Sequence, residues 1–219
     1  MPDEQFDTAL TLTPRVDRYA QVMVRCNQYS VPTRFIGHRL RVKLSASAVT
    51  VYDRSTVVAR HQRAIGKGAK VLDLDHYLEI LHRKPGALPG ATALAQARAA
   101  KAFTATHDAF WAAARKAHGD AGGTRTLVEV LLLHRHLERA DVLAGISAAL
   151  SVGSTSPDVV ALEARKAAER RGAASGPDGF DRDGRVVILA EHRPALLDDE
   201  RPLPSVHKYD TLLLRAETS

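Results

Sequence analysis

The chain has 219 residues, 45% of them apolar, a formal net charge of +6 and a single cysteine, Cys26. That length suits one medium domain or two small ones. No run approaches the ~18 consecutive apolar residues of a membrane span, the acidic start Met1-Pro2-Asp3-Glu4 lacks an apolar signal core, and one thiol makes no internal disulfide. These exclusions lead to an expected bacterial-type cytoplasmic setting with no membrane partner. The positive charge is local: between Arg15 and Lys70 stand twelve Lys/Arg against two acids, Asp17 and Asp53, and from His76 onward nineteen against eighteen. Such a block suits phosphate contacts, and it also fits a merely solvated basic surface.

Residues 1–14 read as a polar, Pro-interrupted lead-in. From Tyr19 to Cys26 apolar residues alternate, with Val22, Val24 and Cys26 on one face. Arg39 to Leu44 alternates more strictly: Leu40, Val42 and Leu44 point inward, while Arg39, Arg41 and Lys43 line the other side. Two further strands, Ala48–Tyr52 and Thr56–His61, are joined by Asp53-Arg54-Ser55, a linker suited to a tight hairpin. Val71–Leu74 adds a last strand. Several short strands in about 60 residues predict a small antiparallel β-barrel over 15–74, because closure removes exposed edges. The outward cations of the second strand would then repeat about every 6.6 Å, twice the rise per residue, a spacing comparable with that of successive phosphates on one DNA strand. Arg34, Arg60, Arg63, Lys67 and Lys70 join Arg39, Arg41 and Lys43 as candidate DNA contacts.

From Asp75 the period becomes helical, and Asp75 is a plausible N-cap for His76–Arg83. Lys84-Pro85-Gly86-Ala87-Leu88-Pro89-Gly90 breaks the chain. An Ala-rich helix spans Thr92–Ala102. Thr104 or Thr106 caps a helix bearing Phe110 and Trp111, which read as core, and the Gly119–Gly123 run ends it. Thr124–Leu133, Arg139–Leu150 and a helix opened by Ser156-Pro157 follow. The expected fold class is α+β, mainly α by content: a β-barrel, a helical hairpin or bundle region over 75–171, a flexible linker over 172–200 and a flexible tail over 201–219. In that tail Leu203, Val206, Tyr209, Leu212 and Leu213 approach one helical face, as a short anchor for a partner's groove would; a disordered terminus fits the same residues.

Catalytic chemistry finds little support. A three-carboxylate site must hold two metal ions about 3.5–4 Å apart. Asp73, Asp75, Asp108 and Asp158 can be tried for it, yet none follows a long apolar strand. His134 and His136 would point about 200° apart on a helix, so a helix end where histidine meets the dipole suits them better than a metal pair. Cys26 reads as a small buried hydrophobe. Gly66-Lys67-Gly68 lacks the spacing of a phosphate loop and reads as a mobile basic hairpin tip. No cofactor is expected.

Four stretches, in order, resemble one family. Tyr29-Ser30-Val31-Pro32 with Arg34-x-Ile36-Gly37 is similar to the barrel start of Mu-type, IstA-like insertion-sequence transposases. So are Leu74–Glu79 with Arg83–Leu88, then Phe110-Trp111 through His118-Gly119-Asp120 with Leu131–Arg135, then Arg201–Val206 with Tyr209-Asp210. The resemblance covers roughly residues 13–171 and 201–214. It implies a DNA-cutting and strand-joining enzyme with a ribonuclease-H-like core, of which this chain corresponds only to the part after the core, as a truncated product or one piece of a split reading frame. It implies no catalytic site here, DNA contacts through the barrel, and docking of the tail on an AAA+ ATPase partner or a second transposase chain. The alternative is a protein-interaction module or remnant that binds no DNA.

Overall fold

Alternation along β4 (Arg41–Leu44) decides the architecture of the N-terminal half: Val42 and Leu44 are buried and Arg41 is exposed. The structure, a computed structural model, describes residues 9–175. Six further strands complete this half: β1 (Leu10–Leu12), β2 (Gln21–Val24), β3 (Asn27–Ser30), β5 (Ala48–Asp53), β6 (Thr56–Gln62) and β7 (Lys70–Val71).

These strands do not close into a barrel. They form two open sheets, one in the order β1-β4-β5-β6 and fully antiparallel, the other in the order β2-β3-β7 with β7 parallel to β3. Closure would require the outer strands to pair with each other. Instead the link between the sheets runs through a side chain: Nε2 of His61 on β6 lies 2.6 Å from the carbonyl oxygen of Ser30 on β3 and donates to it. The two sheets share one core, in which Val22, Val24, Tyr29, Leu40, Val42, Val49 and Val51 meet. Part of the expected lead-in is also a strand, since β1 pairs with β4, Thr11 opposite Lys43.

The strand expected through Cys26 stops at Val24. Arg25 and Cys26 form the tight turn between β2 and β3 with φ of 48° and 66°, the left-handed pair that a two-residue hairpin of this twist requires. Cys26 is therefore exposed rather than in the core.

The C-terminal half is helical: α1 (Leu78–Arg83), α2 (Thr92–Ala99), α3 (Ala105–Leu132), α4 (Arg139–Ser151) and α5 (Pro157–Ser175), with short 3-10 turns between them. Asp73 caps the 3-10 turn Leu74–Tyr77 that leads into α1, its Oδ1 accepting from the Asp75 amide at 3.0 Å; Asp75, expected as the cap, instead accepts from Arg135 at 2.7 Å. Thr104 caps α3, and His107 Nδ1 accepts from its amide at 3.1 Å, a reciprocal arrangement that satisfies two otherwise orphaned groups. Helix α3 is two segments folded back at one residue, Gly119, whose φ of 72° and ψ of 171° are open to glycine. The segments cross closely at Gly123, and Trp111 Nε1 donates to Thr124 Oγ1 at 3.0 Å. Phe110, Leu127, Val130, Ile146 and Val160 fill the core between the helices.

Candidate nucleic-acid interface

The outer face of the four-stranded sheet is built by the same alternation that buries its inner face. Register places Lys43, Thr50 and Arg60 in one row across β4, β5 and β6, and Arg41, Tyr52 and Val57 in the next. An irregularity between Val51 and Tyr52 shifts the pairing, which brings Val57 outward. Arg39 continues the row of β4 and bridges to Arg15. Arg41 is held in place, with its guanidinium donating to the Arg54 carbonyl at 2.9 Å and lying 5.2 Å from the Tyr52 ring centre. Arg39 and Arg60 are exposed, and their side chains form no ion pair or hydrogen bond among the described residues.

Two more candidates, Arg63 and Lys67, lie on the segment between β6 and β7, and a third, Lys70, opens β7. Arg63 donates to the Ser45 carbonyl at 3.1 Å; Lys67 and Lys70 are exposed and without a side-chain partner among the described residues. This loop is not the loose tip expected from Gly66-Lys67-Gly68. Asn27, buried at the start of β3, donates to the carbonyls of Gly66 at 2.7 Å and Ala64 at 3.4 Å and accepts from the Ala69 amide at 2.9 Å. Arg34 stands apart from these groups: it stacks on Phe35 and lines a hollow with Glu79, Ile80 and Arg83. The candidates Leu203, Val206, Tyr209, Leu212 and Leu213 lie outside the described residues.

In the helical half some arginines are paired with carboxylates, while others, Arg83, Arg125 and Arg165 among them, are exposed with no side-chain partner among the described residues. Arg98 pairs with Asp108, Arg115 with Asp120, Arg135 with both Asp75 and Glu79, and Arg171 with Glu138 and Asp141. Burial alone would raise the Glu79 carboxyl, but the Arg135 hydrogen bond holds it below its ordinary value. A hollow of about 460 Å³ beside this group is lined by Asp73, Asp75, His134, Arg135 and Arg139. Its carboxylate Asp75 is committed to Arg135, and Asp73 to the helix cap.

Sequence reasoning missed two histidine pairs, in which His61, His76 and His107 are buried and His134 is half-buried. Ser30 Oγ accepts from the Asp73 amide at 2.8 Å and lies 2.7 Å from His76 Nδ1, to which it donates. His61 and His76 stack edge-on at 5.6 Å. Burial lowers His61, and burial with the neighbouring His61 and Arg135 lowers His76 to about 4, against the opposing pull of Asp73 and Asp75. The second pair joins His107 Nε2 to His134 Nε2 at 3.1 Å. Because His107 Nδ1 accepts from the Thr104 amide, its proton sits on Nε2 and is donated to His134, so both rings are neutral. Burial first, then His134 and Arg139, lower His107 to about 4. His136, the other member of the motif, is not in this pair. Among the described residues no group of three His, Cys, Asp or Glu could hold a metal ion.

Residues 1–73 match the family model described as Mu transposase, C-terminal domain. This segment is thus similar to the C-terminal domain of Mu-type transposases. Over 160 residues the chain is 29% identical to the transposase for insertion sequences IS1326/IS1353 of Pseudomonas aeruginosa, an alignment covering 71% of this chain and 30% of that relative. The Shigella flexneri protein of the same description matches equally. A transposase of Aminobacter aminovorans is 27% identical over 213 residues, 94% of this chain and 38% of the relative. The chain thus spans about a third of the length of these relatives. No solved structure matches it. Among the described residues no helix is long and apolar enough to cross a membrane. Both open sheets therefore lie almost wholly within the Mu-type segment, whereas the helical half is reached by the transposase alignments but not by the family model.

Proposed function

We propose that this chain acts in DNA transposition as a C-terminal transposase fragment that grips the DNA backbone without sequence choice. The observation that carries this reading is the density of positive charge on the sheet half, twelve Lys/Arg against two acids between Arg15 and Lys70, where the chain from His76 onward has nineteen against eighteen. Arg39 and Arg60 on the four-stranded sheet, Lys67 on the loop after β6 and Lys70 at the start of β7 face solvent with no side-chain partner among the described residues. Unpaired cations spread over a sheet face suit phosphates, which position a protein on a duplex but carry no sequence information. Lys43, Arg41 and Arg63 lie within the same two groups, and Arg34 serves a different surface. The role is one of binding, in a cytoplasmic setting, with the cutting chemistry supplied by other transposase sequence.

The second part of the proposal is protein contact. The resemblance of residues 201–214 to transposase endings supports docking of Leu203, Val206, Tyr209, Leu212 and Leu213 on an AAA+ ATPase partner or on another transposase chain. The direct test of the first part is a salt titration of duplex binding: six phosphate contacts give a log–log slope of about −5, and a flat response rejects the reading. For the second part, deletion of residues 201–219 removes capture of the ATPase encoded beside such a transposase while leaving duplex affinity unchanged; capture that survives the deletion rejects the tail as the anchor.

A further inference from the structure

The loop between β6 and β7 carries an isoleucine where a soluble protein gains nothing from one. Ile65 is 103% exposed, the extreme among the exposed apolar residues. A scattered exposed apolar residue needs no explanation by itself. This one is different because the protein commits buried polar groups to holding it out. The Asn27 side chain, 3% exposed, takes the carbonyls on both sides of Ile65, those of Ala64 and Gly66. The Tyr29 hydroxyl accepts from the Ala64 amide at 3.0 Å, and the Cys26 carbonyl accepts from the Gly68 amide at 2.9 Å. The backbone flanking the isoleucine is thereby fixed to β3 and to the turn before it, and the side chain projects from a rigid support.

Its surroundings are cationic. From Arg54 to Leu72 the sequence holds five Lys/Arg and no acid. The bond from Gly68 to Cys26 brings Arg25 at the β2–β3 turn to the same end of the sheet. Lys67, Lys70 and Arg25 are exposed with no side-chain partner among the described residues. An apolar knob on a segment that also carries free cations and no acid is complementary to a polyanion that has an apolar recess. Duplex DNA offers one at a base step, where proteins insert an isoleucine, leucine or similar wedge while lysine and arginine hold the flanking phosphates.

We infer that Ile65 is a wedge that enters a base step of the bound duplex, most readily a flexible pyrimidine–purine step, and bends it. This rests on the DNA-gripping reading above and adds a distinct element: the cations hold, and Ile65 deforms. An anionic membrane also presents charge over an apolar layer, but one side chain buries too little surface to anchor a protein there.

The test uses the full chain, a duplex with a central TA step carrying 2-aminopurine beside it, and end-labelled duplexes for bending by energy transfer. The side chain touches nothing in the fold, so Ile65→Ala and Ile65→Asp leave thermal unfolding unchanged. The parent chain is expected to unstack the reporter base and bend the duplex. Ile65→Ala is expected to abolish both signals and weaken binding about 10-fold, with the salt slope unchanged; Lys67→Ala does the reverse, reducing the slope and retaining the bend. If the parent binds DNA with the expected salt slope and Ile65→Ala binds and bends identically, the wedge is overturned and the grip stands. If the parent does not bind DNA, both are overturned. If Ile65→Ala instead selectively loses binding to phosphatidylserine vesicles, the knob is a membrane contact and the wedge is overturned.

Discussion

Replacing Gly123 with alanine tests the tightest crossing in the helical half. A Cβ at that position would lie 2.3 Å from the Arg115 nitrogen and 2.5 Å from Ala114 C and Arg115 Cα. Carbon atoms in good contact sit about 3.5–4.0 Å apart, and the opposing atoms are backbone, so no side-chain rotation relieves the overlap. The two segments of α3 must separate by more than about 1 Å. Overpacking of that kind costs about 3 kcal/mol at the upper end of its usual range. Separation also strains the Trp111–Thr124 hydrogen bond, worth about 1 kcal/mol, and the better helix propensity of alanine offsets about 1 kcal/mol. The net expectation is a loss of about 3 kcal/mol, or a fall in Tm of roughly 10 °C for a unit of this size. Trp111 is the chain's one tryptophan and sits at the crossing, so urea unfolding followed by its fluorescence reads the event directly. The control is Gly172→Ala in α5, whose added carbon meets nothing within 4 Å and which should be neutral or slightly stabilising. A Gly123→Ala protein with the parent's midpoint and the parent's emission would refute the crossing.

Three further outcomes follow from the buried polar groups and the β2–β3 turn. Ser30→Ala removes the hydroxyl that joins the Asp73 amide to His76, leaving the buried His76 nitrogen unsatisfied and the part-buried Asp73 amide without its partner, and should cost about 2 kcal/mol by chemical denaturation. The buried histidines predict acid sensitivity. His76 and His107 are lowered to about 4 in the fold, against about 6.5 when unfolded. The unfolded chain therefore binds more protons between those values, so stability is full above about pH 6.5 and falls as the pH drops towards 4, by up to about 3 kcal/mol for each residue. Urea midpoints measured from pH 7.5 to 4.5 should show this, and the fall should shrink in His107→Gln. At the β2–β3 turn, Cys26→Gly relieves a left-handed residue and should stabilise by about 1 kcal/mol, as read by the shift in Tm.

What the sequence revealed was set by local physics, and what it concealed was set by pairing across distance. The strict alternation of Leu40, Val42 and Leu44 with Arg39, Arg41 and Lys43 was readable because a strand has a period of two. Which edges pair is not encoded in that period, so a closed barrel was expected where β7 instead joins β3 and His61 reaches across to Ser30. The side-chain cap was misplaced by two residues, and sits on the 3-10 turn leading into α1, because Asp73 and Asp75 are equally good local candidates, and only Arg135, 60 residues from Asp75, shows why Asp75 is occupied elsewhere. The loop around Gly66 read as mobile because its restraint comes from Asn27, 39 residues earlier. A signal for it does exist in hindsight: an asparagine directly after a tight turn is well suited to bind loop backbone. The cationic residues themselves were legible as a block, but not their division into a sheet face, a loop and the separate position of Arg34.

The central claim is that unpaired cations on the sheet and loop hold a DNA backbone. It is tested most directly by comparing the salt dependence of duplex binding for the parent chain and for a variant with Arg39, Arg60, Lys67 and Lys70 all replaced by alanine. Each phosphate contact contributes about 0.9 to the log–log slope, so the variant should bind more weakly with a slope shallower by about 3 to 4, while its unfolding midpoint matches the parent's. A variant that keeps the parent's slope and affinity would contradict the account.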